Sequence, residues 1–170
     1  DKPYTKTLDT SNGFAWSKWF VNGKTNLYKS SVEKFSKICP NKISYTFVSE
    51  DGEISQITYL ELEKKVCKLA NSLKSLGIQN EDVVAIYLPM IEESILAILA
   101  SAKIGAVQTV IFSGYSSESL QIRLQDCKAK ILFICDGFQR KGKGISQKNI
   151  IEVATQNTDI EKIIVIPYKG

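Results

Sequence analysis

Apolar and polar residues fall into regular periods from about Ser31 onward. A short helix is predicted over Ser31 to Lys37, closed by the breaker Cys39-Pro40-Asn41. Ile43-Ser44-Tyr45-Thr46-Phe47-Val48 then alternates, Asp51-Gly52 is a turn pair, and Ile54 to Ile57 returns, which predicts a β-hairpin. Thr58-Tyr59-Leu60-Glu61 matches a capping box, with Thr58 as N-cap and Glu61 three residues later. Leu62, Val66, Leu69, Leu73 and Leu76 follow at helical spacing, and Gly77 stops the helix.

The next stretch repeats one unit: an apolar run, a break, then a helix. Val83 to Leu88 is a strand closed by Pro89. Ile91, Ile95, Ile98, Leu99 and Ala102 mark a helix ended by Gly105, and Ala106 to Phe112 is a strand. Ser116 or Ser117 caps a helix through Leu120 and Leu124 to Cys127. Ala129 to Cys135 is a strand, Gln147 to Ala154 a helix and Lys162 to Ile166 a strand. Such alternation predicts the α/β class: a mostly parallel sheet with flanking helices, built from right-handed crossovers and preceded by the hairpin. Residues 1–29 follow neither period and read as an irregular, aromatic-rich strap, with Trp16, Trp19 and Phe20 expected to pin it by burying their rings. Residues 30–170 then form the αβ subdomain.

Composition narrows the chemistry. The 170 residues are 44% hydrophobic and 24% charged, as a folded domain requires. No apolar stretch approaches the roughly 20 residues that span a bilayer, and the amino end lacks the basic start and apolar run of a secretory signal. A membrane partner is not expected. The net charge of +4 comes from 22 basic and 18 acidic residues spread evenly along the chain, so nucleic-acid binding is not expected either. Histidine is absent, which removes Ser-His-Asp triads, Cys-His dyads and His-ligated zinc from this chain. Cys39, Cys67, Cys127 and Cys135 show no CxxC spacing and fit reduced, buried thiols in a cytoplasmic protein. The chain starts at Asp1 without methionine and stops just after an apolar strand, so it reads as a piece of something longer.

Ligands of a parallel sheet bind beyond the carboxyl ends of its strands. Two loops there draw attention. In Phe112-Ser113-Gly114-Tyr115, Gly114 serves either a tight turn or the close approach of a ligand to the backbone. Asp136-Gly137-Phe138-Gln139-Arg140-Lys141-Gly142-Lys143-Gly144 joins three glycines to three cations. Free backbone N–H groups, the cations and the start of the following helix could converge there on phosphate; a solvated basic loop is the other reading. Arg140 is the more informative cation because guanidinium matches phosphate oxygens. Arg123, three residues before Asp126, reads as part of a surface or inter-helix ion pair, and Asp136 as a cap.

In their order and spacing, WFVNGKTN, ITYLELEKKVCKLANSLKSLGI, DVVAIYLPMIEESILAILASAKIGAV, IFSGYSSESLQIRLQDCKAKILFICDG and the RKGK loop resemble the amino-terminal part of the AMP-forming acetyl-CoA synthetases, within the acyl-adenylate-forming superfamily. The resemblance runs from Trp16 to the carboxyl end. It implies a two-step ligase, in which a short-chain carboxylate attacks ATP to give an acyl-adenylate and the CoA thiol then displaces AMP. ATP and CoA are its substrates, with Mg2+ serving the full-length enzyme. It further implies that Arg140, Lys141, Gly142 and Lys143 hold the 3′-phosphate of CoA, and that the pantetheine arm passes the backbone at Gly114 beside Phe112. Two positions depart from the pattern: Lys143 stands where arginine is usual, and Gln108 where many of these enzymes have histidine.

The same resemblance puts the Ser/Thr/Gly-rich phosphate loop, the adenylate motif, the acyl pocket and the acylation lysine beyond Gly170. No catalytic or metal-binding residue is therefore expected among these residues, the isolated chain is expected to be inactive, and apolar surface left uncovered would favour self-association. Other classes fit less well. GxGxxG is missing for a dinucleotide site, and Asp136 is the lone strand-end acid where a phosphorelay receiver needs several. A stand-alone basic phosphate- or nucleotide-binding αβ module is the alternative, and salt-dependent nucleic-acid affinity would mark it.

Overall fold

A computed structural model describes residues 1–49, 51–140 and 143–168, giving for 139, 140 and 143 the backbone only. The amino-terminal segment is more regular than its composition suggests. β1 (Lys6–Asp9) pairs antiparallel with β2 (Lys18–Val21), and a 3-10 turn (Phe14–Trp16) lies between them. Its rings do not pin it: Phe14 is 89%, Trp16 73% and Trp19 62% exposed. The segment is fastened instead by Asn26, whose Nδ2 donates to the Ala102 carbonyl at 2.9 Å, and by Tyr28, which is buried with the Lys103 ammonium 3.8 Å above its ring. Trp16, Trp19 and Phe20 therefore do not act as the buried anchors expected of them.

A π-helical turn (Lys29–Glu33) runs into α1 (Lys34–Ile38), and β3 (Ile43–Val48) and β4 (Ile54–Thr58) form the predicted hairpin, with Gly52 at φ +82° in its turn. α2 (Tyr59–Ser75) begins at the capping box: Thr58 Oγ1 accepts from the Glu61 N–H, and Glu61 Oε2 accepts from the Thr58 N–H at 2.9 Å. Two of the backbone donors that a helix start leaves unpaired are thereby satisfied. β5 (Val83–Tyr87), α3 (Glu92–Ile104), β6 (Val107–Val110), α4 (Ser117–Cys127), β7 (Ile131–Cys135), β8 (Gly137–Arg140), β9 (Lys143–Ser146), α5 (Lys148–Ala154) and β10 (Lys162–Ile166) complete the order.

Among the described residues four strands form one parallel sheet in the order β10-β7-β5-β6, as the alternating pattern implies. Its central strands are covered on both faces, which is why they read as continuous apolar runs. Val84, Ile86, Ile131 and Phe133 pack with Leu62, Val66 and Leu73 of α2 and Ala97 and Ala100 of α3. Ala85, Tyr87, Leu132 and Ile134 pack with Leu120 and Leu124 of α4 and Ile151 and Ala154 of α5. Of the predicted α3 stripe Leu99 is buried and Ile91, Ile95 and Ile98 pack against the core while partly exposed; Ser94, Ala97, Ala100 and Ser101 are buried as well. Ser94 and Ser101 satisfy their hydroxyls on the Pro89 and Ala97 carbonyls, at 2.6 and 2.8 Å.

The amino ends of the strands are tied together by short contacts. Gly105 turns α3 into β6 at φ +77°, and a Cβ there would collide with Asn80 Oδ1. The Glu81 N–H donates to the Gly105 carbonyl at 2.9 Å. Asp82 accepts from the Gln79 N–H at 2.8 Å and pairs with Lys130 Nζ at 2.6 Å, joining the turn before β5 to the start of β7.

The Lys130 ammonium, followed by the Gln79 N–H, holds the Asp82 carboxyl below its ordinary value. Its folded pKa therefore lies under the unfolded value of about 3.9, so the native state binds fewer protons. The stabilisation is present above that value and is lost as pH falls through the folded pKa. Asp82→Asn should lower the melting temperature at pH 7, and the gap from the native chain should close between about pH 4 and pH 2. Thermal melts across pH check this; a gap that stayed constant down to pH 2 would exclude the linkage.

Candidate functional site

Both sequence-predicted loops lie at the carboxyl end of the sheet. β6 leads into Phe112-Ser113-Gly114-Tyr115, and β7 leads into the basic segment. β6 and β7 are separated by β5 alone, so the two chain exits are about 10 Å apart, twice the usual strand spacing.

Phe112 to Tyr115 is a turn in which the Tyr115 N–H donates to the Phe112 carbonyl at 3.1 Å. Phe112 is 55% exposed, its ring 5.6 Å from that of Tyr115 and nearly perpendicular to it at 85°. Gly114 and Tyr115 are exposed. From beneath, the hydroxyl of buried Tyr87, the last residue of β5, donates to the Tyr115 carbonyl at 2.8 Å. From the side, the Arg123 guanidinium carbon lies 4.3 Å from the Tyr115 ring, while its Nη1 donates to the Ser119 carbonyl at 2.8 Å. No ion pair to Asp126 forms among the described residues. Arg123 is thus a cation–π partner rather than the ion-pair member its spacing suggested.

The basic segment is a hairpin rather than an open glycine-rich loop. β8 and β9 pair antiparallel, with Gly137 opposite Ser146 and Arg140 opposite Lys143. Lys141 and Gly142 lie outside the described residues. Within the described residues the ladder engages part of the main chain of 137–140 and 143–146, and α5 starts beyond the far end of β9 from Arg140 and Lys143. Gly137 permits a close approach: a Cβ there would come within 2.9 Å of the Ile145 carbonyl oxygen. Asp136 Oδ1 accepts from the Tyr168 N–H at 2.8 Å and so caps the chain after β10. Asp136, Phe138, Ile145, Ser146 and Tyr168 line an open cleft of about 460 Å³ at the base of the hairpin.

Gln147 is fully buried and braces this region. Its Oε1 accepts from the Cys135 N–H at 3.1 Å and lies 3.4 Å from the Cys135 thiol. Gln147 Nε2 and Gln108 Oε1 are buried without a hydrogen-bond partner among the described residues. Sequence reasoning missed both Tyr87 and Gln147. Tyr87 left a trace, a hydroxyl closing the otherwise aliphatic Val-Val-Ala-Ile-Tyr run, because a buried tyrosine hydroxyl needs a partner. Gln147 left none.

Residues 32–169 match the family described as AMP-binding enzyme. The chain belongs to that family. It is 44% identical over 172 residues to an acetyl-coenzyme A synthetase of Methanothrix thermoacetophila, covering 99% of this chain and 26% of that protein. Acetyl-coenzyme A synthetase 2 of Saccharomyces cerevisiae is 38% identical over 172 residues, covering 100% of this chain and 25% of the relative. The solved acetoacetyl-CoA synthetase of Streptomyces lividans superposes with a TM-score of 0.89 at 26% identity, covering all of this chain and 27% of that one. The chain spans about a quarter of the length of the curated relatives it matches. The α/β architecture with its parallel sheet and preceding hairpin is thus that of part of an acyl-CoA synthetase.

Burial, with the neighbouring Asp136 charge, pushes the Cys135 thiol up to about 11. Less than about one part in a thousand is thiolate at pH 7.5, so native Cys135 should resist iodoacetamide that alkylates the partly exposed Cys39. Mass mapping of pulse-labelled protein before and after unfolding checks this. Equal native labelling of the two would show that the Gln147 brace opens readily.

Proposed function

We propose that this chain is part of an AMP-forming ligase of the cytoplasm that activates a short-chain carboxylate with ATP to an acyl-adenylate and transfers the acyl group to CoA. The part played by this segment is scaffold and CoA binding. The reading is carried by one observation: the Phe112–Tyr115 turn and the Arg140–Lys143 hairpin leave the same end of the sheet one strand apart, in a chain whose relatives are acetyl-coenzyme A synthetases. Arg140 and Lys143 occupy one step of the ladder, which brings two basic residues together at the hairpin tip for the 3′-phosphate of CoA. Lys141 and Gly142 connect them. The turn offers Gly114 and the exposed Phe112 to the pantetheine arm, whose amides and methylene groups suit a bare backbone beside an apolar ring.

The chemistry itself belongs outside these residues. Adenylation needs the triphosphate held and its charge neutralised, because positioning and electrostatics supply most of the acceleration. Among the described residues no three His, Cys, Asp or Glu side chains cluster, and Mg2+ is assigned to the full-length enzyme, where it would accompany the triphosphate. Asp136 is already engaged by the Tyr168 N–H. No helix among the described residues is long and apolar enough to cross a membrane. Exposed Trp16, Trp19, Val107, Val110 and Val165 favour self-association of the isolated chain.

Charged hydrogen bonds contribute about 1.5–3 kcal/mol, so Arg140→Ala in the ligase expressed from the complete reading frame should weaken CoA binding roughly ten- to a hundredfold. Acetate-dependent pyrophosphate exchange should survive, and discrimination against dephospho-CoA should shrink. Equal losses in both half-reactions, or none in either, would sink the assignment.

The 170 residues alone, given ATP, magnesium, acetate and CoA, should release no AMP and should sediment as a concentration-dependent mixture. Turnover that Arg140→Ala abolishes would reveal a complete small enzyme instead.

A further inference from the structure

The Phe112–Tyr115 turn exposes Phe112, Gly114 and Tyr115, and its backbone is held at one point by a buried side chain. Tyr87 is fully buried within the layer formed with α4, yet its hydroxyl reaches the Tyr115 carbonyl at 2.8 Å. A buried tyrosine in that strand position needs a partner for its hydroxyl, which would otherwise be desolvated without compensation. Phenylalanine would pack equally well on apolar grounds. What the hydroxyl adds is a fixed position for the carbonyl that closes the turn. The Tyr115 ring is held in addition, edge-on to Phe112 and under the Arg123 guanidinium. Backbone and ring are thus gripped from two different elements, β5 and α4.

We propose that Tyr87 is a positioning residue for the thiol substrate: its hydrogen bond to the Tyr115 carbonyl fixes the Phe112–Tyr115 turn where the pantetheine arm passes, with Arg123 assisting through the Tyr115 ring. This rests on the CoA reading above and extends it to residues that touch no substrate. The turn reports the pantetheine arm, whereas the hairpin reports the 3′-phosphate, which pantetheine lacks.

The test uses the ligase from the complete reading frame, with CoA and with pantetheine as acceptors. Tyr87→Phe keeps the ring and deletes the hydroxyl, so KM for both acceptors should rise by the same factor, about three- to tenfold, as loss of one neutral hydrogen bond implies. kcat and pyrophosphate exchange should stay within about twofold. Arg123→Met, at an exposed position, should act in the same direction by about two- to fourfold, and Arg123→Lys should recover part of it. A purely structural role for Tyr87 would lower both half-reactions together. That outcome, or unchanged KM for both acceptors, overturns the proposal. Arg140→Ala in the same assays should alter the ratio of CoA to pantetheine use at least tenfold, whereas Tyr87→Phe leaves it unmoved. An unmoved ratio in Arg140→Ala refutes the hairpin's part in CoA binding separately, because pantetheine tests the turn without it.

Discussion

The burial of β5 and β7 on both faces is the constraint from which the rest follows. A parallel strand with helices above and below can offer nothing to solvent along its length, so whatever this chain binds must be met where the strands end. Val84 to Tyr87 and Ile131 to Cys135 are closed off in this way. The layers differ in how they close. On the α2–α3 side, α3 buries mostly small residues beside Leu62, Val66 and Leu73 of α2; on the α4–α5 side, leucines and isoleucines fill the space. Most polar atoms inside the layers are committed, Ser94 to the Pro89 carbonyl, Ser101 to the Ala97 carbonyl, Gln147 Oε1 to the main chain of Cys135 and Tyr87 to a turn, while Gln147 Nε2 has no partner among the described residues.

Much of this was readable from the chain, and the reasons are local. The capping box at Thr58, the Asp51-Gly52 hairpin and the apolar runs of β5 and β7 are signals in which neighbouring residues decide the outcome. The aromatic strap misled because ring size implies burial, whereas here Asn26 and Tyr28 fasten the segment and the tryptophans face outward. The basic segment misled for a related reason. Glycines and cations suggest a loop, but Phe138 and Ile145 are register partners that pack onto the core, and these two apolar residues decide for a hairpin. Arg123 shows a third kind of failure: its partner, Tyr115, precedes the helix and meets it through the fold of the turn, which spacing along α4 cannot reveal.

The candidate site was readable only in its outline. Phe112, Gly114 and the basic segment were found because strand-end position and glycine content are sequence properties. The residues that hold those loops in place, Tyr87 and Gln147, lie inside the sheet layers, where a polar atom is surrounded by apolar neighbours and leaves little trace in a hydropathy pattern. Such braces become visible only when both ends of a hydrogen bond are located.

Gly105 gives the sheet a polarity of another kind. At its amino end Gly105 takes the left-handed conformation that resists a side chain, and an added Cβ would also have to displace the Asn80 side chain. At its carboxyl end Gly114 and Phe112 are exposed to solvent and Gly144 has open space where a Cβ would stand. Side chains can therefore be enlarged more freely at one end of the strands than at the other. Substitutions at that end leave untouched the contacts that align the strands at the other.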